Sequence, residues 1–336
     1  MLRFLIRRVL LLCPVLFGLL VLTFALIRVA PGDPAAAIAG QNTTPEQIEA
    51  IRKEYGFDKP LVTQFAIYLG HVAEGNLGTS VYSGLPVIDE IKDRLAATLE
   101  LTFFGLFIGV VVGVPSGILA ALYHNRLPDF LFRSVSIVGV AVASFWLAIM
   151  LQLLFSMRLD WLPLGGRLAP GTDAPTTITG LYLVDSLMTG RWDIFVDALK
   201  HIVLPAFALS LGSIATLTRF ARAGMLETLQ KDYITYETAA GFSRHAIILV
   251  YALRNSLGGV VTQLGLLFGA LIGNAVVVES IFSWPGLGSY SVDAVLNSDY
   301  NAILAVSLVI GVIYALINIA VDLMHGLLDP QVAERL

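Results

Sequence analysis

The sequence is poor in charge. Of its 336 residues only 14% are charged, while 57% are hydrophobic, against about 25% charged in an ordinary soluble domain. That excludes such a domain, and a mean hydropathy of +0.79 points to an integral membrane protein. The single cysteine, Cys13, can form no intrachain disulfide and reads as a small wall residue within an apolar run. No G-x-x-x-x-G-K-[ST] loop occurs, so the chain has no P-loop for nucleotide phosphates. H-E-x-x-H and G-x-S-x-G are also missing, and the histidines at 71, 124, 201, 245 and 325 are scattered. These absences leave an intramembrane hydrolase unsupported, and no metal or cofactor is expected on the chain itself. An internal repeat of the kind common in secondary transporters is not visible.

What the chain does have is apolar length. Arg3, Arg7 and Arg8 precede an apolar run from Val9 to Ile27, enough for a hydrocarbon core that needs about 20 helical residues. A secretory signal peptide is the rival reading, but the run exceeds the usual length of about 7 to 15 residues, so an uncleaved first helix is expected. Further spans are expected over Ala96–Tyr123, from the His124–Asp129 hairpin to Met157, from His201 to about Arg219, over Leu257–Phe282 and over Ala302–Leu327. The chain thus reads as an all-α membrane protein of six transmembrane helices. Its expected parts are a first helix (1–30), a helical loop (31–95) and a five-span core (96–336). Lys and Arg in short loops and at helix ends, including Arg126, Arg133, Arg219, Arg222, Lys231, Arg244, Arg254 and Arg335, place both termini in the cytoplasm. The bilayer is then the one certain partner of the spans, and no nucleic acid is expected.

The loop after the first span opens with Pro31-Gly32-Asp33-Pro34. Thr44-Pro45-Glu46-Gln47 starts a helix expected to run to Tyr55 and stop at Gly56. A second helix should follow Pro60 to Ala73, before the Gly75-Asn76-Leu77-Gly78 break. The loop is either a docking surface or a cap over the bundle. In the second span Gly105, Gly109, Gly113 and Gly117 form a stripe suited to close helix packing, and Gly265, Gly269 and Gly273 repeat it in the fifth. Both stripes either pack helices within the subunit or line a pathway or a subunit interface. Around 165–171 turn signals cluster, and Ile178–Leu187 suits a surface helix. His201 reads as an interfacial residue. Ser283-Trp284-Pro285-Gly286-Leu287-Gly288 makes a tight turn, followed by a polar linker to Asp299. Glu100, Glu279 and Asp322 lie near span ends; Glu279, with Ser283, Trp284, Gly269 and Gly273, is a candidate for the wall or gate of a translocation route.

Between the fourth and fifth spans lies a polar island, Arg219 to Asn255. Asp232 to Ala240 can form a short helix with small residues Ala239 and Ala240 at its end, stopped by Gly241 in a left-handed conformation. Tyr233 and Tyr236 can anchor it in a groove of another protein. Taken alone, the island is equally a solvated helix or a docking element.

The island resembles the cytoplasmic loop of permease subunits of binding-protein-dependent ABC importers, Glu-Ala-Ala-x-x-x-Gly followed nine residues later by Ile-x-Leu-Pro. Gly241 matches the glycine and Leu253 the leucine. Pro31–Pro34, Gly75–Gly78, Ala97-Thr98-Leu99-Glu100-Leu101, His201–Pro205 and Phe282–Gly288 resemble, in the same order, the dipeptide/oligopeptide/nickel permeases. Where the pattern has Glu-Ala-Ala this chain has Thr235-Tyr236-Glu237, so the location of the coupling helix carries over better than the role of Glu237. The resemblance implies a type I ABC importer permease fold with an extracytoplasmic loop like the scoop of this branch, whose core would hold Ile48, Ile51, Phe65 and Tyr68. It implies a second, similar permease, two ATPase subunits that use ATP and Mg, and an extracytoplasmic substrate-binding protein. Coupling to the ATPase would fall to Asp232, Tyr233, Tyr236, Glu237, Ala239, Ala240, Gly241 and Arg244. Peptides are the first substrate class, with nickel chelates, glutathione and oligosaccharides carried by related permeases. The other class of function compatible with the spans is an ion-coupled secondary transporter or channel, which would work without an ATPase.

Overall fold

The computed structural model describes residues 2–29, 35, 44–54, 56 and 58–328, and every regular element among them is helical. The Pro31–Pro34 turn, Tyr55 and Arg335 lie outside the described residues, as do the side chains of Arg3, Arg7, Arg8 and Ile51. Helix α1, Leu2–Val29, covers the Val9–Ile27 run expected as the first span, and its described apolar stretch is Leu10–Ala25. Helix α2, Pro45–Glu54, starts on the expected reciprocal box. The Gln47 N–H donates to Thr44 Oγ1 at 3.4 Å, and the Thr44 N–H donates to Gln47 Oε1 at 3.1 Å. Helix α3, Leu61–Ala73, lies on α1, with the Phe65 ring 5.8 Å from Phe17 and 5.2 Å from Phe24 between centroids. Phe65 and Tyr68 therefore pack against the first apolar helix, and Ile48 is half-buried.

The core follows as α4 (Val87–Leu122), α5 (Leu127–Ala141) and α6 (Ser144–Leu151) with a π-helical extension, Gln152–Arg158. Then come α7 (Tyr182–Met188), α8 (Trp192–Leu229), α9 (Asp232–Ala239), α10 (Gly258–Ile281), α11 (Leu287–Leu296) and α12 (Tyr300–Leu328). Among the described residues α4, α8, α10 and α12 are long and apolar enough to cross a membrane, and α5 with α6 makes a fifth, bent candidate.

Four expectations change here. The span expected to end at Met157 is bent by 100° between α5 and α6, because Val142 and Ala143 adopt extended backbone (ψ 121° and 132°). The presumed polar linker after the tight turn is helix α11. Its Ser289, Ser291 and Asp293 hid a buried face of Leu287, Tyr290 and Ala294. The first part of the island, Arg219–Leu229, is the end of α8, not loop. The second span, expected from Ala96, belongs to α4, which begins nine residues earlier at Val87 with Asp89 and Glu90 in its first turn.

The centre of the bundle is the α4/α8 seam. A Cβ on Gly105 would meet Leu209 at 3.4 Å, one on Gly109 would meet Ser213 at 2.9 Å, and one on Gly113 would stand 2.8 Å from the Ile214 carbonyl oxygen. At Gly117 it would strike the Thr218 carbonyl oxygen. From Gly109 to Gly117 only glycine lets the backbones approach this closely. Contacts ascend together on both helices, so α4 and α8 run parallel, and the bent α5/α6 pair is the return pass between them. On α10, Gly265 faces Asn318 and Val321 and Gly269 faces Tyr314, a descending order that makes α10 and α12 antiparallel.

Candidate functional site

At the Ala121 end of the seam, α9 sits on a small apolar base. Ile234 is its buried residue, packed with Ala121, Met225, Ile247 and Ala252. The last two belong to a π-helical turn, Ile247–Ala252, which returns the chain to α10. Tyr233 half-packs on the same base, and its hydroxyl accepts from Asn255 Nδ2 at 3.0 Å. The stop is the expected one: Gly241 has φ 84°. Its N–H donates to the Thr238 carbonyl at 3.2 Å, and the Phe242 N–H reaches back to the Glu237 carbonyl at 3.2 Å. This double closure requires a left-handed residue, and glycine adopts it without strain.

The other face of α9 is open. Asp232, Ala239, Ala240 and Gly241 are exposed, and Tyr236 is 73% exposed. Glu237 is half-buried, with one carboxylate oxygen turned inward and no hydrogen-bond partner for it among the described residues. Arg244, grouped with these residues by sequence, instead borders two cavities beside the α4 end, of about 740 and 380 Å³. The neighbouring hairpin is tied to α8 by a fork that sequence reasoning missed. Arg222 donates to both oxygens of the buried Asp129, at 2.7 and 2.8 Å.

The Ala97 end is the reverse case, and it differs from the expectation of an open route at Glu279 and Trp284. Glu279 is fully buried. It accepts from Thr98 Oγ1 at 2.6 Å and from the Ser289 N–H at 3.0 Å, closing the N-terminus of α11 from a distance. Gly286 and Gly288 lie against its carboxylate, where a Cβ would collide. Trp284 is 2% exposed and donates from its indole nitrogen to the Ala97 carbonyl at 2.9 Å. Ser283 is exposed, with φ 49°, at the corner of the turn.

Glu100, expected near water, is also buried and pairs with Arg167 at 2.5 Å. It accepts the Leu183 N–H at 2.7 Å, and Arg167 lies 3.5 Å from the Tyr182 ring centroid. Arg167 also donates to the Gly180 carbonyl at 3.0 Å. Asp185 in α7 gathers the N–H groups of Ile178, Thr179 and Gly180 at 3.2, 2.8 and 2.9 Å. Burial pushes its carboxyl up, but those donors and the Thr179 hydroxyl outweigh burial and hold it below the usual aspartate value. His201, also buried, makes its contacts within its own helix, to the Asp197 carbonyl at 2.9 Å.

A third feature lies midway along the helices. A cavity of about 480 Å³ opens at the α5/α6 break, between α8 and α10. Its polar lining is Ser144, Ser213, Thr216 and Asn274. None of the five residues expected to line a route borders it. Gly269 is covered by Tyr314, and Gly273 has open space but lies outside the lining. Asn274 was visible in the sequence as a lone amide within the apolar run 270–278. Among the described residues no cluster of His, Cys, Asp or Glu is arranged to hold a metal.

Residues 113–334 match the family described as the binding-protein-dependent transport system inner membrane component, and residues 1–102 match its N-terminal part. The chain is 40% identical over 332 residues to a dipeptide transport system permease protein of Alkalihalophilus pseudofirmus, covering 99% of each. It is 39% identical over 318 residues to a probable D,D-dipeptide transport system permease protein of Escherichia coli, covering 95% of this chain and 94% of that one. With a glutathione transport system permease protein of Escherichia coli it shares 36% identity over 332 residues, 99% of each. Among solved structures, a chain of a methionine ABC transporter in inward-facing conformation superposes with a TM-score of 0.56 at 15% identity, over 73% of this chain and 98% of that one.

Proposed function

The chain belongs to the inner membrane components of binding-protein-dependent transport systems, and from that premise we propose that it is the permease subunit of an ATP-driven importer of short peptides. The family makes it a transport subunit of the inner membrane. The finer reading has six spans with both termini in the cytoplasm, a second permease beside it, two ATPase subunits below and a substrate-binding protein on the far side. Short peptides are preferred because relatives named for dipeptide transport match over nearly the full chain. The glutathione relative favours a substrate of the same chemical kind, itself a peptide.

The observation that carries the coupling reading is α9. It is an eight-residue helix seated through Ile234, terminated by Gly241 and offering Tyr236 and its small residues outward. Such a helix suits a groove in an ATPase subunit. Asp232, Tyr236, Ala239 and Ala240 would contact it, Tyr233 and Gly241 would fix its pose, and Glu237 would lie beneath. For the substrate passage, the cavity at the α5/α6 break is preferred to the Glu279 turn, because its amide and hydroxyl groups can meet peptide bonds without burying a charge.

The test uses the assembled transporter in liposomes with a labelled dipeptide. Uptake should require ATP and the binding protein, and Tyr236→Ala should weaken ATPase association. Uptake driven by an ion gradient without ATP, or Tyr236→Ala and Gly241→Val variants that couple normally, would overturn the reading.

A further inference from the structure

The 740 Å³ cavity at the Ala121 end has a chemistry that the transport reading does not use. Its volume lies within the range of about 300 to 1,000 Å³ common for ligand pockets. One side carries Arg126, Arg244, His124 and His245, and no Asp or Glu borders it. Arg126 and Arg244 enter no ion pair among the described residues, unlike Arg222, which Asp129 holds. The other side is apolar, made by Ile118, Leu119 and Ile248, with Leu249 at the rim. Leu119 and Leu249 are 44% and 62% exposed.

On the α4 and hairpin side, the lining is ordered along the membrane normal. From Leu101 to Tyr123 the sequence has no charged residue, a length that spans a hydrocarbon core. The helix ends at Leu122, so Leu119 lies about 4 to 5 Å inside that end and Pro115 about 10 Å inside, at 1.5 Å per residue. Arg126 follows in the hairpin, and Tyr123 sits at the junction, the usual place of an interfacial aromatic. Along α4 and the hairpin the lining thus passes from apolar at acyl-chain depth to cationic, at Arg126, at headgroup depth.

We propose that this cavity binds one anionic phospholipid, its phosphate between Arg126 and Arg244 and an acyl chain along Leu119 and Leu249. A water-soluble anion would use the cations and leave the apolar wall without a partner. A neutral lipid would leave the two exposed arginines without a counterion.

The assembled transporter, delipidated in detergent and titrated with phosphatidylglycerol or phosphatidylcholine, is read by native mass spectrometry. The intact complex should hold one phosphatidylglycerol preferentially. Arg126→Gln with Arg244→Gln should weaken that binding about thirtyfold with all subunits retained. As a second readout, tryptophan placed at Leu249 should be quenched by phosphatidylglycerol brominated on its chains, and far less by brominated phosphatidylcholine. Equal quenching by the two lipids, equal retention by the double variant, or displacement by inorganic phosphate would each overturn the proposal. So would loss of the ATPase subunits from the double variant, which would make the cavity part of the subunit interface and leave the transport reading intact.

Discussion

At the Ala97 end of the α4/α8 seam, side-chain and backbone groups from α4, α7, α10, α11 and the 162–167 segment close on Glu100, Glu279 and Trp284. At the Ala121 end, α9 is held through Ile234 and a Tyr233–Asn255 hydrogen bond, with two cavities beside it. The first end buries charge and polar groups that cannot lose one partner without leaving another exposed to an apolar interior. The second buries mainly apolar residues beneath α9, with one charged pair, Arg222–Asp129, in the hairpin beside it, and apolar packing of this kind can shift by small slides. The contrast assigns rigidity to one end and adaptability to the other, along a seam too tight to bend between them.

The strongest way to break the contrast is Arg167→Ala, which leaves Glu100 buried without its counterion. A loss of about 3 to 5 kcal/mol is expected, read as a large fall in the unfolding midpoint of the purified chain, while Glu100→Gln with Arg167→Met should recover much of it. Glu279→Ala strands the Thr98 hydroxyl and the Ser289 N–H, for about 1 to 3 kcal/mol in the same assay. The seam predicts a graded pair: Gly117→Val should cost about 1 to 3 kcal/mol by overpacking, and Gly105→Ala, whose Cβ has ordinary space, far less. Gly241→Val should cost about 1 to 2 kcal/mol locally. Its signature would be faster hydrogen exchange over 232–240 with little change in the global midpoint.

The smallest effect concerns pH. Asp185 is held below its ordinary value, so its contribution is present above about pH 4 and is lost as pH falls through the folded value. Unfolding midpoints measured from pH 7 downward should fall with acid, less steeply in Asp185→Asn.

What the sequence made legible was local. The Thr44–Gln47 box, the glycine stripe of α4 and the Gly241 stop each follow from residues within a turn or two of one another, and the structure has each in place. What it hid depends on partners far along the chain. Arg167 and Glu100 are 67 positions apart, and Thr98 and Glu279 are 181 apart, so neither carboxylate showed that it would be buried. The break at Val142–Ala143 contains neither proline nor glycine, and its extended backbone had no marker in the sequence.

α8 joins the two ends as one helix of 38 residues, about 57 Å at 1.5 Å per residue. Rocked by about 5° about its midpoint, a rod of that length carries each tip through roughly 2.5 Å in opposite directions. Asp197 near its first turns accepts the Ala169 N–H at 2.8 Å, and Arg222 near its last turns holds Asp129. A tilt of α8 as one unit would therefore load both attachments at once, the Asp197–Ala169 bond near one tip and the Arg222–Asp129 fork near the other, so a displacement at one end would be felt at the other.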